Sequence, residues 1–190
     1  MLNSTPLVAS IVVAIAGALI LWSNPERRVN RVVFTCSLNI ALWLFLLHLA
    51  LTSPRGSAAG LFWLRCACTV GGSTLLHFWL VKDSIAAGGD NVFVGKWIRS
   101  NWWLLAVSLV LMVIPFTDFF IPSHSTATSR LHGWGYSVFN YGILALFTFL
   151  FVTAFRNIKK LDGARRLELQ VWLGGGCAMG VTVLGLMALN

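Results

Sequence analysis

Six apolar runs, each close to twenty residues long, alternate along the chain with five short polar segments. About 20 consecutive apolar residues is the length a helix needs to cross the hydrocarbon core of a bilayer. The pattern therefore predicts membrane-spanning helices over residues 6–23, 29–51, 58–81, 101–120, 136–155 and 169–189. The segments between them, NPERRVNR, TSPRGS, KDSIAAGGDNVFVGKWIRS, IPSHSTATSRLHGWG and RNIKKLDGARRLELQ, carry the charged, Gly and Pro residues. None is long enough to form a second domain, and no internal repeat stands out. The expected architecture is all-α, a polytopic helical bundle of six transmembrane helices in one domain over residues 1–190.

Composition supports this reading. The chain is 57% hydrophobic and 11% charged, against roughly 25% charged residues in a soluble domain, and its mean hydropathy is +0.79. A net charge of +8 would point to nucleic acid in a soluble chain. Here nearly every base sits in a short loop between apolar runs, so the charge reads as a topology signal and as contact with lipid head groups. The partner implied is the bilayer, not nucleic acid. The first run is read as a retained helix and not a signal peptide, because no basic segment precedes it and no small-x-small cleavage site follows.

The fourteen bases fix a direction. Loops one, three and five hold eleven of them: Arg27, Arg28 and Arg31, then Lys82, Lys96 and Arg99, then Arg156, Lys159, Lys160, Arg165 and Arg166. Loops two and four hold Arg55 and Arg130, and Arg65 falls inside the third run. Positive residues stay on the cytoplasmic side, so the N-terminus is expected outside. Six crossings then bring Asn190 outside as well, an odd place to finish, and a seventh helix is expected if the parent protein is longer.

Little in the chain suggests catalysis or a cofactor. Cys36, Cys66, Cys68 and Cys177 lie inside apolar runs, where a free thiol behaves as a small hydrophobe. Cys66 and Cys68 point about 200° apart on a helix, which makes them poor joint metal ligands. His48 and His77 sit near opposite faces of the membrane, some 20 Å apart in depth by helical rise, so they do not share a haem. A site made by His48 with His124 or His132 would need further coincidences, and no metal or cofactor is expected. No nucleophile stands beside a base, and the acids nearest the apolar runs are the border residues Asp83 and Asp118.

Several short motifs occur in a telling order. Asn24-Pro25 is followed by Asn30-Arg31 and Ala41-Leu42-Trp43, then LFWLR at Leu61 to Arg65, LHFWLV at Leu76 to Val81, and GWGYSVFNYGIL at Gly133 to Leu144. A basic loop with Arg165, Arg166, Glu168 and Gln170 then precedes a Gly-rich helix. Over most of its length, from about Leu7 to Asn190, the chain resembles the N-terminal seven-transmembrane sensor region of bacterial membrane histidine kinases, with six of the seven helices present. The resemblance implies a multi-pass protein of the bacterial cytoplasmic (inner) membrane. It further implies a signal-transduction role in a two-component system, and a kinase output beyond these residues. The 190 residues themselves hold no phosphoacceptor segment, ATP lid or Mg²⁺-binding acids, so they transfer no phosphoryl group.

Ionisable groups inside a membrane are functional candidates by default. Arg65 and His48 are predicted at similar depth near the outer face, and with Trp134, Tyr136, Asn140 and Tyr141 they are candidates to line an outward-facing pocket. Arg65 would favour an anionic ligand, a carboxylate or lipid phosphate. The competing reading is that Arg65 snorkels to the head groups and that Trp134 and Tyr136 belong to an interfacial aromatic belt. The outer loop with His124, Arg130 and His132 is either a lid or a solvated connector. Gly174, Gly175, Gly176 and Gly180 suggest close helix packing or a hinge. The functional expectation is a sensory input domain for a small or lipid-like outer ligand, possible as a homodimer. The alternative is an accessory transmembrane subunit packed within a larger membrane complex.

Overall fold

The computed structural model describes residues 4–54, 57–88, 93–122 and 133–188, and side chains throughout these except at 93 and 178–188. Every regular element among them is helical: α1 (Thr5–Ser23), α2 (Arg28–Thr52), α3 (Ala58–Ala87), α4 (Phe93–Ser100), α5 (Trp102–Val113) with a 3₁₀ turn (Ile114–Phe116), α6 (Trp134–Ile158) and α7 (Gly163–Ala188). Arg55, His124, Arg130, His132 and Asn190 lie outside the described residues.

Pro6 sits in the first turn of α1, where its missing N–H costs no hydrogen bond. Asn24-Pro25 ends the helix, since a residue before proline is driven to extended backbone and Asn24 has φ −160° and ψ 90°. Asn30 of α2 then reaches back. Its Nδ2 donates to the Ile20 carbonyl at 2.9 Å and the Asn24 carbonyl at 3.1 Å, satisfying acceptors that a helix end leaves open. Ser10 Oγ donates to the Ala41 carbonyl at 2.7 Å, and a Cβ on Gly17 would stand 2.5 Å from the Ser37 Cβ. These contacts hold α1 and α2 as a close antiparallel pair. The rest of α1 is an apolar surface, with Val8, Ile11, Val12, Ile15 and Leu19 all exposed, as a lipid-facing helix requires.

Helix α3 is the axis of the bundle. Asn39 of α2 donates to Ser73 Oγ at 2.7 Å and accepts from Thr74 Oγ1 at 2.6 Å, a polar clasp between two apolar helices. On its other side α3 meets α5 in antiparallel register. Trp79 packs on Trp103, Gly72 faces Leu111, and Thr69 Oγ1 donates to the Met112 carbonyl at 2.9 Å. The last contact has a sequence cause: Pro115 interrupts the helical ladder, and a hydroxyl from α3 takes up a carbonyl beside the break. One apolar cluster centres on Leu75, Phe78, Trp79, Leu104 and Leu150, and a second on Leu111, Phe120, Ile121 and Phe139.

The span pattern differs from the expected six. Among the described residues four helices, α1, α2, α3 and α6, are long and apolar enough to cross a membrane, and α4 with α5 makes a fifth if the pair, bent by 76°, counts as one. The segment expected over 101–120 is thus not a straight helix: Pro115 and the 3₁₀ turn shorten it. Helix α7 carries the stretch expected as the sixth, and the side chains past Cys177 lie outside those described. Helix α3 does not stop at 81 but runs to Ala87, because nothing breaks it before Gly88, whose φ of 64° favours glycine. The third polar segment therefore contains the end of α3 and all of α4, and Lys82 is a helical residue.

Candidate functional site

Two charged centres sit on α3, seventeen residues apart, which is about 26 Å at helical rise. The 30-residue helix is about 45 Å long, some 15 Å more than the hydrocarbon core. The separation of the two centres is thus comparable to the thickness of the core.

The first is built by the turn that follows α5. After Pro115 and the 3₁₀ turn, Thr117 N donates to the Ile114 carbonyl at 3.0 Å, and the chain folds back toward α3. Gly133 N donates to the Phe120 carbonyl at 3.1 Å and Gly135 N to the Phe119 carbonyl at 2.9 Å. A Cβ at Gly133 would collide with the Phe119 carbonyl, so the start of α6 requires glycine there. This backbone lock presents two acceptors to Arg65. Its Nη2 donates to the Ile121 carbonyl at 2.6 Å and pairs with Asp118 Oδ1 at 3.1 Å. The Arg65 side chain is 15% exposed and Asp118 is 71% exposed. Arg65 Nε is buried with no hydrogen-bond partner among the described residues.

The residues expected around Arg65 are placed unequally. Tyr136 is half-buried and packs on the fully buried Phe120, ring centres 5.4 Å apart, next to Ile121. Trp134 is exposed and packs on Phe119 at 5.4 Å. His48 on α2 and Asn140 on α6 are half-buried, whereas Tyr141 is 72% exposed on the outside of the bundle. Arg65, Tyr136 and Trp134 thus meet through the 118–121 turn, and Tyr141 does not join them. The turn itself is what the sequence pattern did not reveal, although Asp118, three residues after Pro115 at the edge of an apolar run, was its visible trace.

The second centre lies where residue sorting places a loop. Lys82, 5% exposed in its side chain, pairs with the adjacent Asp83 (Nζ to Oδ1, 2.9 Å). It also donates to Thr153 Oγ1 of α6 at 3.4 Å and stands 4.7 Å above the Trp79 ring. Trp97 of α4 donates its Nε1 proton to Asp83 Oδ2 at 2.8 Å. Neighbours on a helix point about 100° apart, so this pair forms only because both side chains turn into one enclosed site. Trp79, which covers the lysine, packs in turn on Trp103 and Phe149 with ring centres 5.5 to 6.0 Å apart, and the low exposure of Lys82 strengthens its attraction to Asp83. The Lys82 and Asp83 pair so joins α3, α4 and α6.

No family model matches the chain, and neither does any curated protein or solved structure. Function is therefore read from the two centres and their surroundings. Among the described residues no three His, Cys, Asp or Glu side chains gather where they could hold a metal. Helix α7 runs as one element through Gly174, Gly175 and Gly176. Gly176 packs against Phe151, while a Cβ on Gly174 or Gly175 would meet nothing within 4 Å among the described residues; Gly180 lies past the described side chains. Beside them an open groove of about 350 Å³ runs between α6 and α7, lined by Phe155, Ile158, Leu173 and Cys177 among others.

Proposed function

We propose that the chain is a sensory input domain of the bacterial cytoplasmic membrane, of the kind that precedes a histidine kinase, with six spans and its N-terminus outside. It takes a small or lipid-like anion at Arg65 and passes the binding along α3 to the basic end. The supporting observation is that one continuous helix carries, near one end, an arginine whose paired acid is exposed and, at the other, an enclosed lysine. A carboxylate or phosphate that displaces the exposed Asp118 from Arg65 would free the 118–121 turn from α3.

Two contacts accord with this arrangement. Arg27 of the first loop pairs with Glu168 of α7 at 2.6 Å, and Arg165 of α7 stands beside Gly88 at the end of α3. The three basic loops thus share one end of the bundle, the end that the positive-inside rule assigns to the cytoplasm. The test is a thermal shift of the purified chain with octanoate and octyl phosphate. Stabilisation of the wild type that is lost in Arg65→Gln supports the reading; an equal shift in both, or none in either, contradicts it.

One observation favours the accessory-subunit reading. The open face at Gly174 and Gly175 suits another membrane helix packed at close range. Co-purification with a second membrane protein, lost on substituting both glycines by Leu, would favour that reading over ligand sensing.

A further inference from the structure

Helix α4 (Phe93–Ser100) is bent by 76° from the helix that follows it. That following helix, α5, runs alongside α3 through the contacts at Thr69, Gly72 and Trp79, so α4 lies across the bundle and not along it. Its side chains divide by face. At about 100° per residue, Val94 and Ile98 lie about 40° apart with Trp97 about 60° to the other side, and Lys96 and Arg99 fall on the opposite face. Trp97 is buried and bonded to Asp83, whereas Val94 and Ile98 are exposed although apolar. Lys96 and Arg99 are exposed as well. An apolar face with a buried tryptophan and a basic opposite face, set across the spans at the end where the basic loops gather, is the pattern of a helix lying in the membrane interface.

We infer that α4 is an interfacial helix that docks on the anionic phospholipids of the leaflet at the basic end. Val94 and Ile98 sit among the upper acyl chains while Lys96 and Arg99 meet phosphate head groups. Charge complementarity selects this occupant: α4 carries two bases and no acid, and the exposed Arg165 and Arg166 of α7 begin at the same end. Through Trp97 the helix is tied to the Lys82 and Asp83 pair, so leaflet charge acts on the same centre that α3 connects to Arg65. The inference rests on the membrane placement of the bundle but not on an outer ligand.

The test places single spin labels at Val94, Ile98, Lys96, Arg99 and, as a control, at the exposed Val152 of α6, with the native cysteines replaced by alanine. The full chain is reconstituted in phosphatidylcholine vesicles with and without phosphatidylglycerol. Labels at Val94 and Ile98 are expected to be reached by oxygen and shielded from a water-soluble nickel complex, and those at Lys96 and Arg99 the reverse. Phosphatidylglycerol should deepen the Val94 label, and Lys96→Gln with Arg99→Gln should weaken that response about tenfold in the lipid concentration needed. A shielded Val152 with Val94 and Ile98 open to nickel would overturn the inference about α4, as would a depth indifferent to phosphatidylglycerol. A Val152 label open to nickel would overturn the membrane placement, and α4's docking with it.

Discussion

Arg65 and Lys82 stand on one helix, each beside one carboxylate, and yet they are held in opposite ways. Lys82 is enclosed by Asp83, Thr153 and the Trp79 ring, and its acid is in turn held by Trp97. Arg65 has an acid that is mostly in solvent and a buried Nε with no partner among the described residues. The difference teaches that burial, not pairing, decides what a charge pair does. An enclosed pair is a clamp, because removing either member strands the other in low dielectric. A pair whose acid is exposed is exchangeable, because water and competing anions can take the place of the acid.

The largest effect should come from the clamp. Asp83→Ala leaves Lys82 enclosed without its counter-charge, and unfolding in mixed micelles should show a loss of about 3 kcal/mol; a loss below about 1 kcal/mol would make the Lys82 pair no stronger a clamp than the Arg65 pair. Next comes the backbone lock at the other end. Gly133→Ala pushes a methyl into the Phe119 carbonyl and should cost about 2 kcal/mol, showing that the Arg65 end is held by main chain and not by charge. Trp97→Phe keeps most of the buried ring but deletes the hydrogen bond to Asp83, for about 1.5 kcal/mol. Its signature is faster proteolysis at the α4 end with the α1 and α2 pair unchanged. Smallest is Asp118→Asn, under about 1 kcal/mol because the acid is exposed; a cost equal to that of Asp83→Ala would make the two centres alike.

Much of the bundle was legible in the chain, and the misses have physical causes. The ends of α1 and α2 are within a residue or two of the expected boundaries, since Asn24-Pro25 punctuates the turn between them. Arg65 stood out because a charge inside an apolar run is costly. Lys82 did not, because hydropathy alone assigns a charge at the edge of a run to the loop, whereas helix propensity carries α3 on to Gly88. The bent α4 and α5 pair was hidden for a similar reason: an apolar window does not register a break at Asn101 or the effect of Pro115. The partners of Arg65 come from a turn fifty-three residues further along the chain, a contact that local pattern does not encode.

The exchangeability of Arg65 is the claim on which the account turns, and titration of octyl phosphate into the wild type and Asp118→Asn tests it most directly. If Asp118 competes with the anion for the guanidinium, its neutralisation should tighten binding about tenfold, the equivalent of about 1.4 kcal/mol, and Arg65→Gln should abolish the gain in the double variant. Equal or weaker binding by Asp118→Asn, or a gain that survives loss of Arg65, would contradict it.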